Sequence, residues 1–251
     1  MATPMRAAGV LAYGAPAALS CASLPPGWAI ERYALAGHRA TVVLTAEELH
    51  LAHGVWAALA EHAAALDARV RASDAARVRP GRATAGLGPI FLRAAALALA
   101  AARATHGAYD PTRRAGGPGG AASRVEIDAA AGTLWLPPGI GLDLEPIAAA
   151  LAVDAAAAWL GQRTRSALVM VDRCAAAVGE APGGGWRIGR PDASRPRRLR
   201  SGAMAIAAQR EPGLGTRAST ACSRTAFEAA VALASERPTE ARRRARPVAL
   251  G

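Results

Sequence analysis

Residues 140–161 constrain the fold of this chain more than any other stretch, because they join two apolar segments through a polar turn. Residues 140–142 (IGL) predict the end of a strand that stops at Asp143. Pro146 suits the first position of a helix, since its fixed φ is helical and its missing N–H leaves no donor unsatisfied. Apolar and small residues then recur at helical spacing as far as Gly161, where a glycine predicts the end of the helix. The pattern therefore predicts a strand, a turn at Asp143 and a long helix.

Asp143 is the first candidate for a binding residue. A carboxylate at a strand-to-helix turn lies beside the exposed N–H groups of the helix start, where proteins hold anionic ligands or metal-bound phosphates. An aspartate before a helix is also an ordinary N-cap, which serves the backbone and needs no ligand. The residues alone leave both interpretations open.

The same stretch resembles the signature of a known family. It reads DLEPIAAALAVD from Asp143 to Asp154, and the ApbE-like FAD:protein FMN transferases have DLGGIAKGYAVD. Residues 145–146 (EP) replace the glycine pair, and residues 149–150 (AA) replace the lysine and the following glycine. The signature is kept in outline and altered at its glycines and its lysine. The residues kept are Asp143, Leu144, Ile147, Ala148, Ala152, Val153 and Asp154.

Further segments resemble the same family, in the family's order. Residues 71–79 (RASDAARVR) are similar to R-x-D-S-E-L-S-R-L-N, and residues 105–112 (THGAYDPT) to T-x-G-A-F-D-P-T. Residues 183–192 (GGGWRIGRPD) resemble G-x-W-x-V-G-I-x-D-P. Residues 227–232 (FEAAVA) match a helix that reads A-D-A-L-A-T-A in the family. The resemblance therefore covers most of the chain.

The resemblance implies an α+β fold with helices packed on antiparallel sheets. It also implies transfer of FMN from FAD to a Ser or Thr hydroxyl of an acceptor protein, with Mg²⁺ neutralising the pyrophosphate. Ser73, Asp110 and Asp143 correspond to cofactor-binding residues. The backbone carbonyl of Pro146 and the carboxylate of Glu228 correspond to metal ligands. The resemblance assigns no catalytic residue in this chain.

Several of the family's chemical groups are replaced in this chain. Residues 207–208 (AA) stand where the family has a histidine pair, and Ala232 stands where it has a threonine that binds the metal. Residues 172–174 (DRC) stand in place of G-G-D. These replacements predict that FMN transfer is slow or absent although FAD still binds. The alternative is a non-catalytic flavin- or partner-binding protein of the same fold.

The net charge of +11 is carried by arginine, because the chain has no lysine. A basic chain attracts nucleic acid and anionic ligands through its field. However, no basic stripe is interleaved with aromatic residues, so we expect FAD and an acceptor protein as partners and no nucleic acid. No apolar run reaches the roughly 18 residues of a membrane span, so we expect no transmembrane segment.

Cysteine usage bears on the location of the protein. Cys21, Cys174 and Cys222 are odd in number and widely spaced, without a CxxC pair. This pattern predicts neither a disulfide framework nor a zinc site and favours a reducing compartment, the cytoplasm. The alternative is an exported lipoprotein, since residues 6–21 resemble a short lipoprotein signal that would anchor the protein at Cys21.

The chain is predicted to divide into a loosely ordered lead-in (residues 1–30), one ApbE-like domain (31–235) and a basic tail (236–251). Thr45 and Glu48 predict a capping box at the start of a helix. The remaining predicted elements are strands at residues 39–44, 167–171 and 201–209, a helix from Pro89 to Thr105 that Gly107 ends, and a hairpin of residues 124–128 and 133–136.

Overall fold

The computed structural model describes residues 20–21, 24, 26–35, 38–67, 73–112, 121–189, 197–211 and 215–236. The lipoprotein-like stretch before Ser20 and the basic tail after Glu236 lie outside the described residues, so those two predictions stay predictions. Two strands include residues that the sequence pattern assigned to the lead-in, at Ser20–Cys21 and from Trp28 onward.

The strands form one large sheet and two small ones, and all strand pairs are antiparallel. In chain order the strands are β1 (Ser20–Cys21), β2 (Trp28–Leu35), β3 (His38–Thr45), β4 (Ala83–Thr84), β5 (Glu126–Asp128), β6 (Thr133–Trp135), β7 (Ser166–Val171), β8 (Cys174–Gly179), β9 (Trp186–Gly189), β10 (Arg197–Leu199), β11 (Gly202–Glu211) and β12 (Gly215–Ser223). The large sheet has the order β12-β11-β8-β7-β3-β2, and the small sheets are β1-β9-β10 and β4-β6-β5.

The helices pack mainly on one face of the large sheet. They are α1 (Ala52–Leu66), α2 (Asp74–Arg77), α3 (Pro89–Ala104), α4 (Glu145–Gly161) and α5 (Ala226–Glu236). Within the part of the chain that the structure describes, none of these helices is long and apolar enough to cross a membrane. The predicted fold class, α+β with helices packed on antiparallel sheets, is confirmed.

The large sheet separates two hydrophobic cores, because alternate residues of a strand point to opposite faces. Ala167 and Val169 of β7 belong to the core beneath α1, α4 and α5, whereas Leu168 and Met170 belong to the core beneath the sheet β1-β9-β10. Trp186 on β9 fills this second core. The central strands are therefore buried on both sides.

Helix α4 is the central helix of the first core, in contact with α1, α5, β7 and β8. A helix that is apolar on all sides is stable only when other elements surround it. Helix α1 approaches α4 closely at Gly54, where a Cβ atom would lie 2.2 Å from the Trp159 ring. The buried side chains of α4 are Ile147, Ala150, Ala152, Val153, Ala156 and Leu160.

One end of the large sheet gathers the loops that concern function. A Cβ atom at Gly161, the end of α4, would lie 3.9 Å from Val178, which pairs with Ala167 near the start of β7. Helix α4 and strand β7 therefore run in opposite directions. The start of α4, the β7–β8 turn and the start of β3, which pairs with Val171, consequently share one end of the sheet. We call it the loop end.

The segment before α4 differs from the prediction. Residues 140–142 form no strand, and Leu144 rather than Asp143 is the N-cap. Glu145 is the first helical residue, so Pro146 is the second. An apolar triplet predicts burial rather than a strand ladder, and Ile140 is indeed buried in an irregular segment.

The predicted capping box is wrong. The Thr45 hydroxyl donates to the Glu48 carboxylate at 2.9 Å, and the Thr164 hydroxyl donates to the same carboxylate oxygen at 2.9 Å. Helix α1 begins only at Ala52, after a 3-10 turn. Because two hydroxyls occupy it, the Glu48 carboxylate ties the end of β3 to the loop after α4.

The other predicted elements are confirmed. Strands β3, β7 and β11, helix α3 and the hairpin β5–β6 lie at the predicted places. Helix α3 ends at Ala104, and Gly107 follows with φ +75°. Glycine adopts this left-handed conformation without strain, which explains why the helix stops there.

Candidate functional site

Two turns that are far apart in sequence meet at the start of α4, and we call them the paired turns (residues 109–112 and 143–145). The carbonyl oxygen of Pro111 accepts the N–H of Asp143 at 2.7 Å, so a backbone hydrogen bond joins them. They contain Asp110 and Asp143, two of the three residues for which the sequence predicts cofactor binding. The structure brings these two residues to one place.

Each aspartate holds the backbone of its own turn. The Asp110 carboxylate accepts hydrogen bonds from the N–H and the hydroxyl of Thr112, at 2.9 and 2.7 Å. The Asp143 carboxylate accepts the N–H of Glu145 at 3.1 Å. Such contacts fix a turn in one conformation. The paired turns are therefore built by local side-chain contacts and by the backbone bond between them.

The Tyr109 side chain packs from the first of the paired turns into the core. It is 3% exposed and belongs to the same core as Leu92 and Leu144. Its hydroxyl is buried and has no hydrogen-bond partner among the described residues. Burial raises the pKa of Tyr109 well above its ordinary value, and the charges of Asp143 and Asp110 raise the pKa further. The hydroxyl therefore stays protonated and is a hydrogen-bond donor.

Ser73, the third predicted cofactor-binding residue, has a role in folding. It is fully buried, and its hydroxyl oxygen accepts the N–H of Ala76 at 3.1 Å as the N-cap of α2. The Asp74 carboxylate accepts the N–H of Gly88 at 2.8 Å, immediately before α3. Arg77 donates to carbonyl oxygens of the same loop. This segment thus holds the approach to α3, and a contact of Ser73 with a cofactor stays a prediction.

Asp154, the last residue of the signature, anchors helix α5. Its carboxylate oxygens accept the N–H groups of Ala226 and Phe227, at 2.7 and 2.9 Å. The N–H of Glu228 donates to the hydroxyl oxygen of Thr225 at 3.2 Å. The first three N–H groups of α5 therefore have partners within the chain, and the helix start is satisfied without a ligand.

Glu228 and Asp154 lie close together but in different surroundings. Burial raises the pKa of Asp154, the two backbone hydrogen bonds lower it, and the charge of Glu228 raises it again. Glu228 is exposed, and a hydrogen bond from the Ser223 hydroxyl lowers the pKa of its carboxyl. Glu228 is thus ionised and already occupied by a donor.

The described residues do not supply a complete oxygen shell for Mg²⁺. Pro146 is exposed at the start of α4, and Asp154 lies eight residues further on, about 12 Å along the helix axis. Ala232 is exposed one turn after Glu228 and has no side-chain oxygen. No group of three or more His, Cys, Asp or Glu in the described part of the chain could hold a metal ion. The assignment of Pro146 and Glu228 as metal ligands therefore stays a prediction without support from the geometry.

A second polar cluster at the loop end was not predicted from the sequence. His38 contacts Asp172 through Nδ1, and its Nε2 lies 3.4 Å from a carboxylate oxygen of Asp67. The other carboxylate oxygen of Asp172 accepts the N–H of Arg39 at 2.9 Å. The cluster joins the start of β3, the end of α1 and the β7–β8 turn. Its contacts therefore hold these three segments together at the loop end.

Asp172 is the residue of this cluster that stands out in the sequence, because an aspartate occupies a turn position that suits glycine. It has φ +48°, a left-handed conformation that non-glycine residues adopt with strain. Residues 172–174 stand where the family pattern has G-G-D, and glycine would take that φ freely. Because residue 172 is an aspartate and not a glycine, the turn carries a carboxylate that contacts His38.

Strand β11 carries the positions of the missing histidine pair to the loop end. The N–H of Ile206 donates to the carbonyl of Arg173 in the β7–β8 turn at 2.9 Å, and β11 continues beyond that turn. The side chains of residues 207–208 lie outside the described residues. Cys174, at the start of β8, is buried, and burial raises the pKa of its thiol to about 12. It is therefore no nucleophile at neutral pH.

Known structures resemble this fold over most of its length, although no protein-family model and no curated protein matches the sequence. The ApbE protein of Thermotoga maritima matches with a TM-score of 0.69 at 16% identity, covering 83% of this chain and 85% of that chain. The apo form of the flavinyl transferase ApbE of Pseudomonas stutzeri matches with a TM-score of 0.67 at 19% identity, covering 83% and 84%. The flavin transferase ApbE of Vibrio cholerae matches with a TM-score of 0.66 at 16% identity, covering 84% and 86%.

These likenesses concern the course of the backbone. Identities of 16–19% are too low to carry residue roles from one chain to the other, so the comparisons bear on the backbone alone. The coverage includes more than four fifths of both chains in each pair. The chain therefore has an ApbE-like fold.

Proposed function

We propose that this chain binds FAD at the paired turns, and that transfer of FMN from FAD to a Ser or Thr hydroxyl of an acceptor protein is slow or lost. The observation that carries the proposal is the backbone hydrogen bond between Pro111 and Asp143. It joins the two segments that match the flavin transferase motifs best, on a fold that is similar to solved flavin transferases.

The proposed reaction makes two demands on the protein. The acceptor oxygen attacks the phosphorus of the FMN half of the pyrophosphate, the bond to the AMP phosphate breaks, and AMP leaves with the electron pair. The hydroxyl proton has to pass to a base, and the charge on the phosphates has to be neutralised. General acid–base assistance is worth roughly 10²–10⁴-fold in rate, so the loss of either group slows transfer strongly.

This chain offers little for either demand. Residues 207–208 are alanines, so strand β11 brings no imidazole to the loop end. The Glu228 carboxylate accepts the Ser223 hydroxyl, and Ala232 adds no oxygen beside it. In contrast, flavin binding depends mainly on pocket shape and apolar contact. These features favour the second candidate function, a non-catalytic flavin- or partner-binding protein.

The test is direct because flavin has its own absorbance and fluorescence. The purified chain is titrated with FAD, and then incubated with FAD, Mg²⁺ and a threonine-containing acceptor peptide whose mass is measured. We expect saturable FAD binding and little or no added FMN. Rapid, Mg²⁺-dependent addition of FMN would contradict the loss of transfer. Absence of FAD binding would contradict the proposed function as a whole.

We further propose that the protein works in the cytoplasm. The basis is the cysteine pattern: Cys174 and Cys222 are free. Cell fractionation tests this location. Recovery in the membrane fraction, with a lipid on Cys21, would contradict it.

A further inference from the structure

The outer face of the small sheet β1-β9-β10 carries exposed arginines. Trp186 and Leu199 lie opposite each other on β9 and β10, and both are buried in the core beneath this sheet. Arg187 and Arg198 are the neighbouring pair in the same register, so they lie on the opposite, outer face. Arg200 follows Arg198 by two residues, and all three arginines are exposed. We call Arg187, Arg198 and Arg200 the arginine face.

A glycine turn brings the aliphatic chains of Arg198 and Arg200 together. A Cβ atom at Gly185, immediately before β9, would lie 3.3 Å from Cγ of Arg200 and 3.5 Å from Cβ of Arg198. A Cβ atom at Gly184 would lie 3.9 Å from Nη1 of Arg198. The glycines therefore leave room for both arginines beside this turn. Arg187 lies directly opposite Arg198, a position in which Cβ atoms are about 5 Å apart, so the three positive charges share a small area.

The charges of the arginine face are not balanced within the described part of the chain. Like charges that lie directly opposite each other on neighbouring strands are destabilising, and Arg187 and Arg198 form such a pair. Among the described residues, no carboxylate lies within ion-pair distance of these two arginines or of Arg200. An anion from outside the chain would remove this repulsion when it binds.

The shape of the arginine face favours the carboxylates of a protein segment over nucleic acid. A guanidinium group forms two parallel hydrogen bonds with one carboxylate. Arg198 and Arg200 are two residues apart, the spacing at which an extended peptide repeats its side chains on one side. Single-stranded nucleic acid is held by aromatic rings as well as by charge. Trp186, the aromatic residue of these three strands, is turned into the core and is 2% exposed.

We propose that the arginine face is a docking surface for an extended, acidic segment of a partner protein. The face belongs to the layer on the far side of the large sheet, whereas Tyr109 of the paired turns packs in the core beneath the helices. The inference therefore goes beyond FAD binding and does not depend on it. Charge complementarity is the basis of the contact, so binding should weaken as salt is added.

The test measures binding of a short fluorescein-labelled peptide of alternating Glu and Ser by fluorescence anisotropy at low salt. In the double variant Arg187→Gln with Arg198→Gln, we expect the Kd to rise about 3- to 10-fold, the value of two exposed ion pairs. The matched control, Arg93→Gln with Arg103→Gln, removes the same charge from exposed positions of α3, and its Kd should change less than about 2-fold. The thermal midpoint of the first variant should stay the same or rise, because opposed charges are removed.

Three results would overturn the inference. The first is an equal rise of Kd in the two double variants, which would mean that the net charge alone attracts the peptide. The second is no binding of the acidic peptide to the unaltered chain. The third is tighter binding of a single-stranded oligonucleotide of the same charge, which would assign the arginine face to nucleic acid. Failure of the chain to bind FAD would contradict the proposed function and leave this inference standing.

Discussion

Both aspartates of the DLEPIAAALAVD signature accept hydrogen bonds from backbone N–H groups, but their partners lie at very different distances along the sequence. Asp143 accepts the N–H of Glu145, two residues further on, at the exposed start of α4. Asp154 accepts the N–H groups of Ala226 and Phe227, 72 and 73 residues further on, and thereby fixes α5 on α4. The first aspartate shapes a turn beside a buried donor, whereas the second assembles the core. One short motif therefore contains an aspartate with a local contact and an aspartate that joins two distant helices.

The starts of α4 and α5 also differ in the polar groups that surround them. At the start of α4, the paired turns have the backbone bond that joins them and a donor in Tyr109. At the start of α5, the helix is well anchored, but Glu228 is occupied by Ser223 and Ala232 is apolar. The start of α5 is therefore well anchored, and Glu228 and Ala232 offer few oxygen atoms to a ligand there.

The largest effect is expected at the anchor of α5. Asp154→Ala removes the acceptor of two backbone N–H groups in the partly buried junction, so we expect a loss of about 2–4 kcal/mol in the free energy of unfolding. Denaturant unfolding at neutral pH measures it. The matched control is Asp128→Ala, because Asp128 accepts the N–H groups of Ala130 and Ala131 in an exposed turn.

Water replaces the lost acceptor in the control, so we expect Asp128→Ala to cost less than about 1 kcal/mol. Lowering the pH should increase the loss of unfolding free energy that Asp154→Ala causes. Because the pKa of Asp154 is raised in the folded state, folding favours its protonated carboxyl. This contribution to stability is fully present below the unfolded pKa and is lost as pH rises through the folded pKa. Equal losses in Asp154→Ala and Asp128→Ala would show that Asp154 does not anchor α5.

A smaller effect is expected from restoring the missing groups. The double substitution Ala208→His with Ala232→Thr returns an imidazole to β11 and an oxygen to the face of Glu228. We expect FMN transfer to the acceptor peptide to rise about 10- to 100-fold and to depend on Mg²⁺. Peptide mass spectrometry measures it. The control replaces Ala232→Thr by Ala158→Thr on an exposed position of α4, and transfer there should stay low.

The smallest effect is expected at Glu228. A hydrogen bond from Ser223 lowers the pKa of Glu228 below its ordinary value of 4.5. The ionised group therefore contributes stability above the unfolded pKa, and that contribution is lost as pH falls through the folded pKa. Since the side chain is exposed, Glu228→Gln should cost less than about 1 kcal/mol at neutral pH and nothing in strong acid. Ser223→Ala should show the same pH dependence, and a loss that persists in acid would contradict this cause.

Local patterns in the sequence were enough for much of the fold. Pro89 and Gly107 bracket α3 because each acts on its own backbone. The apolar runs of β3 and β7 indicated strands because a strand that is buried on both faces is apolar along most of its length. The prediction of a strand at residues 140–142 was wrong, since apolar residues indicate burial and do not show whether the backbone pairs with a neighbouring strand. The predicted capping box failed because Thr164, 116 residues away, donates to Glu48.

The site was predictable only where it is local or resembles a motif. Asp110 and Asp143 could be singled out because their motifs are short and continuous. The structure brings their turns together, and their contact with a cofactor stays a prediction. The role of Asp154 was not found, because its partners lie on a distant helix. The His38 cluster was not found for the same reason, since Asp67 and Asp172 come from separate elements. The buried Tyr109 hydroxyl has no hydrogen-bond partner among the described residues, and a sequence does not reveal the absence of a partner.

We infer above that FAD binds to this chain and is split slowly or not at all. The most direct measurement is to incubate the protein with FAD, Mg²⁺ and acceptor peptide, and to identify every flavin and nucleotide by chromatography after denaturation. We expect the bound flavin to be recovered as intact FAD, with little or no release of AMP above the protein-free control. Release of AMP in step with FMN on the peptide would contradict it.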